Sequence, residues 1–386
     1  AMAEGQFGPE RGFGEGLFEG GGEGLRALVE EVVQALIGSE ADQHFGAPWN
    51  AKGLPRPNGY RNGMKERGLR TRVGTLRLRL PQARNGSFYP ACLERWQTSE
   101  QSLAATLGEM VIKGVSTRKV SQLAEEMLGV EVSPSTVSNL LKAIEPKVEA
   151  FRERALGTYR YLIVDARFDK VRDGHKVTSR AFLWAAGVTP EGQREVLGWL
   201  DWASETGRAW TELFRLLKER GLTGVELVVS DAHEGLVRAI EESFPGAMWQ
   251  ECQTHFMRRA LDLVREADKE AICEDLRTVL LAGSRERAQE EKALLENHWG
   301  GRYPKLLAYM EEHLDSVLAV LNVPVGHRKR LRTTNHVERV NQELKRRGRT
   351  VRIWPNPASR HRVYGALLME QHEKWIGITW LKPEGA

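Results

Sequence analysis

The sequence predicts an α/β fold in which a mixed five-stranded sheet is split by a helical insertion and preceded by mostly helical domains. Three observations carry this. Apolar runs of strand length at 161–168 (YLIVDARF), 180–188 (RAFLWAAGV) and 194–200 (REVLGWL) follow one another through short connections, the first turning at Asp173 and Gly174. A helical pattern from Gly207 to Glu219 then leads to a fourth run, VELVVS, ending at Ser230 and Asp231, and a fifth strand lies near AMWQ. Finally, 106 residues separate Asp231 from Glu338, more than one αβ connection needs. Most of them have helical spacing, from HFMRRALDLVREADKEAICEDLRTVLLAG through RERAQEEKALLENHW to KLLAYMEEHLDSVLAVL.

Composition bounds the classes. A chain of 386 residues, 41% of them hydrophobic, buries a substantial core in two or three domains. Cys92, Cys252 and Cys273 are too few and too scattered for a disulfide framework, and no charged-then-apolar leader opens the chain, so a cytoplasmic protein is expected. No apolar stretch approaches the roughly 18–20 residues of a membrane span. The net charge of +4 is modest but unevenly spread: residues 56–84 hold Glu66 as their only acid, and 327–352 hold only Glu338 and Glu343. Such runs form solvated faces or nucleic-acid surfaces, and two of them favour a double-stranded DNA partner and association with the nucleoid.

Residues 1–24 are Gly-rich and aperiodic, which predicts a flexible leader. Leu25, Leu28, Val29, Val32, Val33 and Leu36 then have helical spacing to about Ile37, a helix for packing or dimerisation. In RVGTLRLRLP, Leu76, Leu78 and Leu80 alternate with Arg77 and Arg79, a half-buried strand whose outer row of guanidinium groups suits phosphates or protects an edge. Arg61 and Arg72 in the same basic stretch are candidate DNA contacts.

Residues 115–144 have the pattern of a helix-turn-helix. Ser116 or Thr117 caps a first helix ending near Leu128, Gly129 turns, and Ser133 with Pro134 opens a second helix bearing Ser135, Thr136, Ser138, Asn139 and Lys142. Those short polar side chains suit base edges and phosphates, with Arg118 and Lys119 alongside; an ordinary helical hairpin is the alternative.

Asp165 interrupts the apolar run Tyr161 to Val164, where an unpaired charge costs several kcal/mol. Arg167, Lys170 or a metal ion would offset it. Three strands, a helix and a fourth strand in that order match the ribonuclease H-like fold, in which the first strand carries one acid and a second lies at the end of the fourth. Asp165 and Asp231 occupy those positions, and converging carboxylates select hard cations such as Mg²⁺ or Mn²⁺. Asp231 with Glu234 also has capping-box spacing. A third acid, Glu338, lies one turn into a helix capped by Asn335, with Gln342 and Lys345 following on its face; here too a capping box is the bland reading. Arg339, Arg346, Arg347 and Arg349 ring it with charge suited to phosphates.

Taken together, GYRNG, RVGTLRLRLP, GSFYP, GVSTRKV, STVSNL, YLIVDARFDKVR, VLGW, VVSDAHEGL, FPGAMWQECQTHFMRR, TTNHVERVNQELKRR and GALLMEQHEKW resemble, in order over about 40–380, the bacterial Mutator-type insertion-sequence transposases of the DDE superfamily. The resemblance implies that Asp165, Asp231 and Glu338 form a DDE triad holding two divalent ions, and that a homodimer binds terminal inverted repeats, cleaves, and joins 3′-hydroxyl ends to target DNA. Cys252 and His255 match the family's Cys-x-x-His signature. By themselves they are half a zinc site with no second pair at recognisable spacing, which favours structural or active-site support. ARFDK after Asp165 is more polar than the family's usual run, and WPNPAS has an extra Pro357. A ribonuclease H-like structure-specific nuclease and a non-catalytic helix-turn-helix regulator are the rival classes.

The expected divisions are the leader (1–24), helix and basic β segment (25–98), helix-turn-helix domain (99–155), first catalytic part (156–255), helical insertion (256–330), and a last catalytic part (331–386).

Overall fold

A computed structural model describes residues 22–47, 58–84, 88–93, 99–128 and 130–382. Residues 1–21 of the expected leader and the turn residue Gly129 lie outside them. The chain forms two compact units, Ala1–Ala143 and Ile144–Ala386. Among the described residues no helix is long and apolar enough to cross a membrane.

In the first unit, α1 (Gly22–Phe45) lies on a two-stranded antiparallel hairpin, β1 (Arg61–Thr71) and β2 (Gly74–Ala83). The helix runs past the expected Ile37 because Ala41 and Phe45, one and two turns on, continue its buried face. Leu76, Leu78 and Leu80 are buried and Arg77 and Arg79 exposed, as the alternation requires. The open edge of β2 is covered by α1: Arg77 N–H donates to Glu30 (2.8 Å), and Gln34 accepts from Arg79 N–H (2.8 Å) and donates to its carbonyl (3.0 Å). Edge protection therefore comes from the helix, while the exposed Arg79 guanidinium pairs across the hairpin with Glu66 (3.8 Å).

Three further helices, α2 (Gln101–Ile112), α3 (Thr117–Leu128) and α4 (Pro134–Leu140), share a core of Leu103, Leu107, Val120, Ala124, Val130, Val132 and Val137. Ser116 caps α3, its hydroxyl accepting from Lys119 N–H (3.2 Å), and Ser133 caps α4, accepting from Thr136 N–H (3.1 Å).

The second unit starts earlier than the expected boundary after residue 155. Helix α5 (Glu145–Glu153) belongs to it: Glu145 pairs with Arg362 (3.2 Å) and Glu149 with His361 (2.8 Å). Its mixed sheet has the order β5 (Arg194–Trp202), β4 (Lys176–Val188), β3 (Tyr161–Asp173), β6 (Leu227–Ser230), β7 (Met248–Glu251). The first three are antiparallel; β6 and β7 run parallel to β3. The expected five strands become six, because β8 (Ile353–Trp354) pairs in parallel with Lys170 and Val171 of β3. Two residues carry no periodicity to read, and only the buried Trp354 shows what holds them.

Alternation along β3 divides its residues between two layers. Leu162 and Val164 face a core built with α6 (Gly207–Glu219) and α7 (Glu234–Ser243), through Trp210, Leu213, Phe214, Leu217, Leu236 and Ile240. Asp165 faces the other layer, where α13 (Asn335–Val351) and α14 (Pro357–Trp375) lie. Between β7 and α13 come α8 (Gln253–Asp262), α9 (Lys269–Leu280), α10 (Arg285–Trp299), α11 (Pro304–Val317) and α12 (Val325–Leu331). The first four enclose a separate apolar core from Phe256 to Leu321. Fully buried Glu251 ties this helical part to the sheet by bonding His313 (2.7 Å) and Ser316 (3.2 Å) of α11.

A buried ionic layer seats α13 and α14. Arg360, with no exposed surface, donates twice to Asp201 (2.8 and 2.6 Å) and to the carbonyls of Arg180 and Ala181. Tyr364 donates to Asp169 (2.9 Å), which also pairs with Arg167 (2.6 Å). A β-carbon at Gly348 would come within 2.9 Å of both Asp169 and the Tyr364 hydroxyl, so a larger residue there would push this layer apart. Arg167 is thereby committed to Asp169 and is not the partner of Asp165.

Candidate active site

Asp165 lies opposite Trp184 in the β3–β4 ladder. The parallel register Leu162 to Val228 and Ile163 to Val229, extended two residues, brings Asp231 beside it. Asp231 is fixed by its neighbours: the Trp249 indole donates to the buried Ser230 hydroxyl (2.9 Å), which donates to the Asp231 carbonyl (2.8 Å). Asp231 does not cap α7, whose N-cap residue is His233. Nor does Asn335 cap α13. The N-cap is Thr334, and Asn335 is the first helical residue, its side chain accepting from Thr254 (3.1 Å).

The Cys-x-x-His segment locks these pieces together. Cys252 N–H donates to the Ser230 carbonyl (2.8 Å) at the end of β6, and its buried sulfur accepts from both the N–H and the hydroxyl of Thr334 (3.3 Å each). One turn into α8, His255 Nε2 lies 3.6 Å from Glu338 Oε1. The start of α13, and with it Glu338, is therefore held against the end of β6, which leads directly into Asp231.

The charges of Asp231 and Glu338 both act on Asp165. Asp165 is pushed up to about 7, first by burial and then by the charges of Asp231 and Glu338, against the pull of the Ala166 N–H and His255. His255 is held above its ordinary range by Cys252 and, after the opposing effect of burial, by Asp231 and Asp165. Burial raises the Cys252 thiol, but its contacts with His255 and Thr334 outweigh that and lower it overall.

Two residues here were not singled out from sequence. Asn341 donates from Nδ2 to Asp165 Oδ2 (2.7 Å) while its Oδ1 accepts from the Trp184 indole (2.9 Å). The indole has only a proton to give, which fixes the amide so that its NH₂ meets the carboxylate. Asn341 is three residues beyond Glu338, on the same face of α13, a spacing that was available in NHVERVNQELKRR. Glu205, in the loop before α6, is raised by burial and then by the charge of Asp231, and it accepts from the Trp210 indole (3.1 Å). Nothing in ASETGR marked it as a neighbour of Asp231.

Among the described residues neither Asp165 nor Asp231 makes an ion pair, and His255 is the nearby basic group. The donor set is three carboxylates, the chemistry that hard divalent cations require. As they stand, no three His, Cys, Asp or Glu side chains among the described residues close round a single point, so an ion would draw the carboxylates in. Cys252 is engaged by Thr334 and belongs to no such group.

The Mutator-family transposase model matches residues 15–377. The chain belongs to that family. A transposase for insertion sequence element ISRM5 from Rhizobium meliloti (strain 1021) is 42% identical over 357 residues, 92% of this chain and 89% of the relative. The transposase of IS256 in transposon Tn4001 from Staphylococcus aureus is 40% identical over 320 residues, 82% of each. That of IS406 from Burkholderia multivorans is 36% identical over 366 residues, 94% of this chain and 93% of the relative.

For this Mutator-family chain, the candidate DNA contacts divide by exposure. In the first unit Arg77, Arg79, Arg118, Lys119, Ser135, Ser138, Asn139 and Lys142 are exposed, and Arg72 is exposed but paired with Glu100 (3.0 Å). Thr136 is half-buried in the α4 cap. Arg61 is turned inward, pairing with Asp42, donating to the Ala47 carbonyl (2.7 Å) and lying 4.8 Å from the Phe45 ring centre. In the second unit Arg339, Lys345, Arg346 and Arg349 are exposed, whereas Arg347 is buried and paired with Glu343 (2.7 Å). As placed, Arg61 and Arg347 serve the fold and offer no surface to DNA.

Proposed function

We propose that this chain is a DDE-type transposase with a ribonuclease H-like second unit, and that it acts as a homodimer on double-stranded DNA carrying the terminal inverted repeats of its element. The observation that carries this reading is that the charges of Asp231, at the end of β6, and Glu338, in the first turn of α13, reach Asp165 on β3 and raise it. The sheet order, three antiparallel strands followed by two parallel ones, supports the fold assignment.

Asp165, Asp231 and Glu338 would hold Mg²⁺ or Mn²⁺, two ions per site. Bound there, the ions would supply Lewis-acid activation of a water or 3′-hydroxyl nucleophile and stabilisation of the leaving oxygen. The chain's own contribution is positional. Asn341 aims Asp165, the Thr334–Cys252 contact sets the start of α13, and His255 offsets negative charge beside Glu338. The exposed Lys345, Arg346 and Arg349 on α13 would hold the phosphate backbone of the strand being cut, and α3 and α4 with the outer row of β2 would bind the repeats.

The test is to incubate the protein with Mg²⁺ or Mn²⁺ on labelled duplexes carrying the ends that flank its own gene, and to map the breaks. Metal-dependent breaks at the element boundary are expected. Breaks placed without regard to the ends would favour a structure-specific nuclease; tight binding without cutting under either metal would favour a regulator.

A further inference from the structure

We infer that Arg194 and Arg330, both set against the indole of Trp380, and Arg339, one turn along α13 from the His336 ring that meets the same indole, form a second anion site that takes consecutive phosphates of a nucleic-acid backbone. This inference rests on the reading that the substrate is DNA.

The platform is built by a specific docking. The N–H groups of Trp380 and Leu381 donate to the Gly192 carbonyl (2.8 and 3.0 Å), which fastens the segment after α14 to the β4–β5 turn. Gly192 has φ 79°, and a β-carbon there would lie 1.8 Å from the Leu381 carbonyl oxygen, so only glycine permits the approach. Two residues on, the Arg194 guanidinium lies 4.2 Å from the Trp375 ring centre and 4.6 Å from that of Trp380. Arg330, at the end of α12, lies 5.6 Å from the same Trp380 ring, and the His336 ring meets it edge-on at 5.0 Å.

Three features distinguish this cluster from an ordinary buried arginine. Among the described residues none of the three arginines makes an ion pair. Arg194 Nε and Trp380 Nε1 are buried donors without a hydrogen-bond partner. The charges act on each other: Arg194 is lowered to about 10, by burial first and then by Arg330 and Arg339. Indole faces favour the cations of Arg194 and Arg330, but among the described residues no carboxylate pairs with any of the three arginines. A polyanion supplies the missing charge, and guanidinium forks match phosphate oxygens. Arg339 follows Glu338 directly and is rotated about 100° from it around α13, so the site occupies another flank of the helix than the acids.

The test measures binding of the full chain to a duplex with an element end, and to an unrelated duplex, over a range of salt. Arg330→Gln and Arg339→Gln, both at exposed positions, should each flatten the slope of log K against log salt by about one and weaken binding to both duplexes about tenfold near 0.1 M salt. Arg287→Gln, at an exposed cation of α10, should leave the slope unchanged. If the parent binds DNA and the Arg330→Gln/Arg339→Gln double variant keeps its slope and affinity, or if Arg287→Gln flattens it equally, the inference is overturned. If the parent binds no DNA, inorganic tripolyphosphate is titrated while tryptophan fluorescence is followed. A response lost in the double variant keeps the anion site and removes the DNA reading, and no response in the parent removes both.

Discussion

Glu338→Gln and Asp165→Ala should each lower strand cleavage on the order of 10⁴-fold while leaving binding of element ends unchanged. Glu338 stands in the first turn of α13 with its carboxylate 3.6 Å from His255 and its charge felt by Asp165. Gln is isosteric, keeps the helix, and removes the one property a hard cation needs. Asp165 is the residue on which the other two acids act, so its loss removes the centre of the group. Cleavage and end binding measured on the same preparations separate the roles. A Glu338→Gln protein that no longer binds ends would show α13 to be a DNA reader, and one that still cuts would remove Glu338 from the chemistry.

Asn341→Ala should cost about 10–100-fold in metal affinity or cleavage, the range for a residue that orients a metal ligand. Its amide is gripped from both sides, by the Trp184 indole proton and by the Asp165 carboxylate. Truncation frees Asp165 to rotate and leaves the Trp184 N–H buried without an acceptor, at about 1–3 kcal/mol of stability. Asn341→Asp should be worse for metal-free stability, because it sets a fourth acid against Asp165. The readout that isolates positioning is the metal concentration for half-maximal cleavage, which should rise in Asn341→Ala and recover partly at high Mn²⁺. An unchanged metal requirement would make Asn341 a packing residue only.

Long periodic elements were open to reading from sequence. The strand after Tyr161, the helix from Gly207 and the Ser133–Pro134 helix start all follow from alternation, 3.6-residue spacing and capping chemistry. What stayed hidden lacks a local signal. Strand β1 holds Gly63 and Gly68 and exposes most of its side chains, so no alternation marks it; pairing with β2 makes it a strand. Helix α1 crosses the polar stretch Ser39–Gln43 because Ala41 and Phe45 find tertiary burial. The three proposed acids stood out in sequence because Asp165 interrupts an apolar strand, Asp231 directly follows β6, and Glu338 lies in the first turn of α13. Asn341 and Glu205 were not, since their partners Trp184 and Trp210 are fixed only once the sheet and helices pack. Exposure was the least legible property: Arg61 and Arg347 resemble their exposed neighbours in sequence, and only the carboxylates of Asp42 and Glu343 turn them inward.

Asp165, Asp231 and Glu338 are proposed to hold a divalent cation. Because burial and its acidic neighbours hold Asp165 at about 7 rather than 3.8, its proton stabilises the cation-free fold. That contribution is complete below the unfolded value and is lost as the pH rises through about 7; a bound cation replaces it. The most direct measurement is calorimetric titration of Mn²⁺ into the DNA-free protein at about pH 5.5 and about pH 8.5, with Asp165→Ala alongside, since metal must displace ligand protons. Binding should be weak at the lower pH, strong at the higher, and lost in the variant. Mn²⁺ binding that ignores pH and survives Asp165→Ala would contradict it.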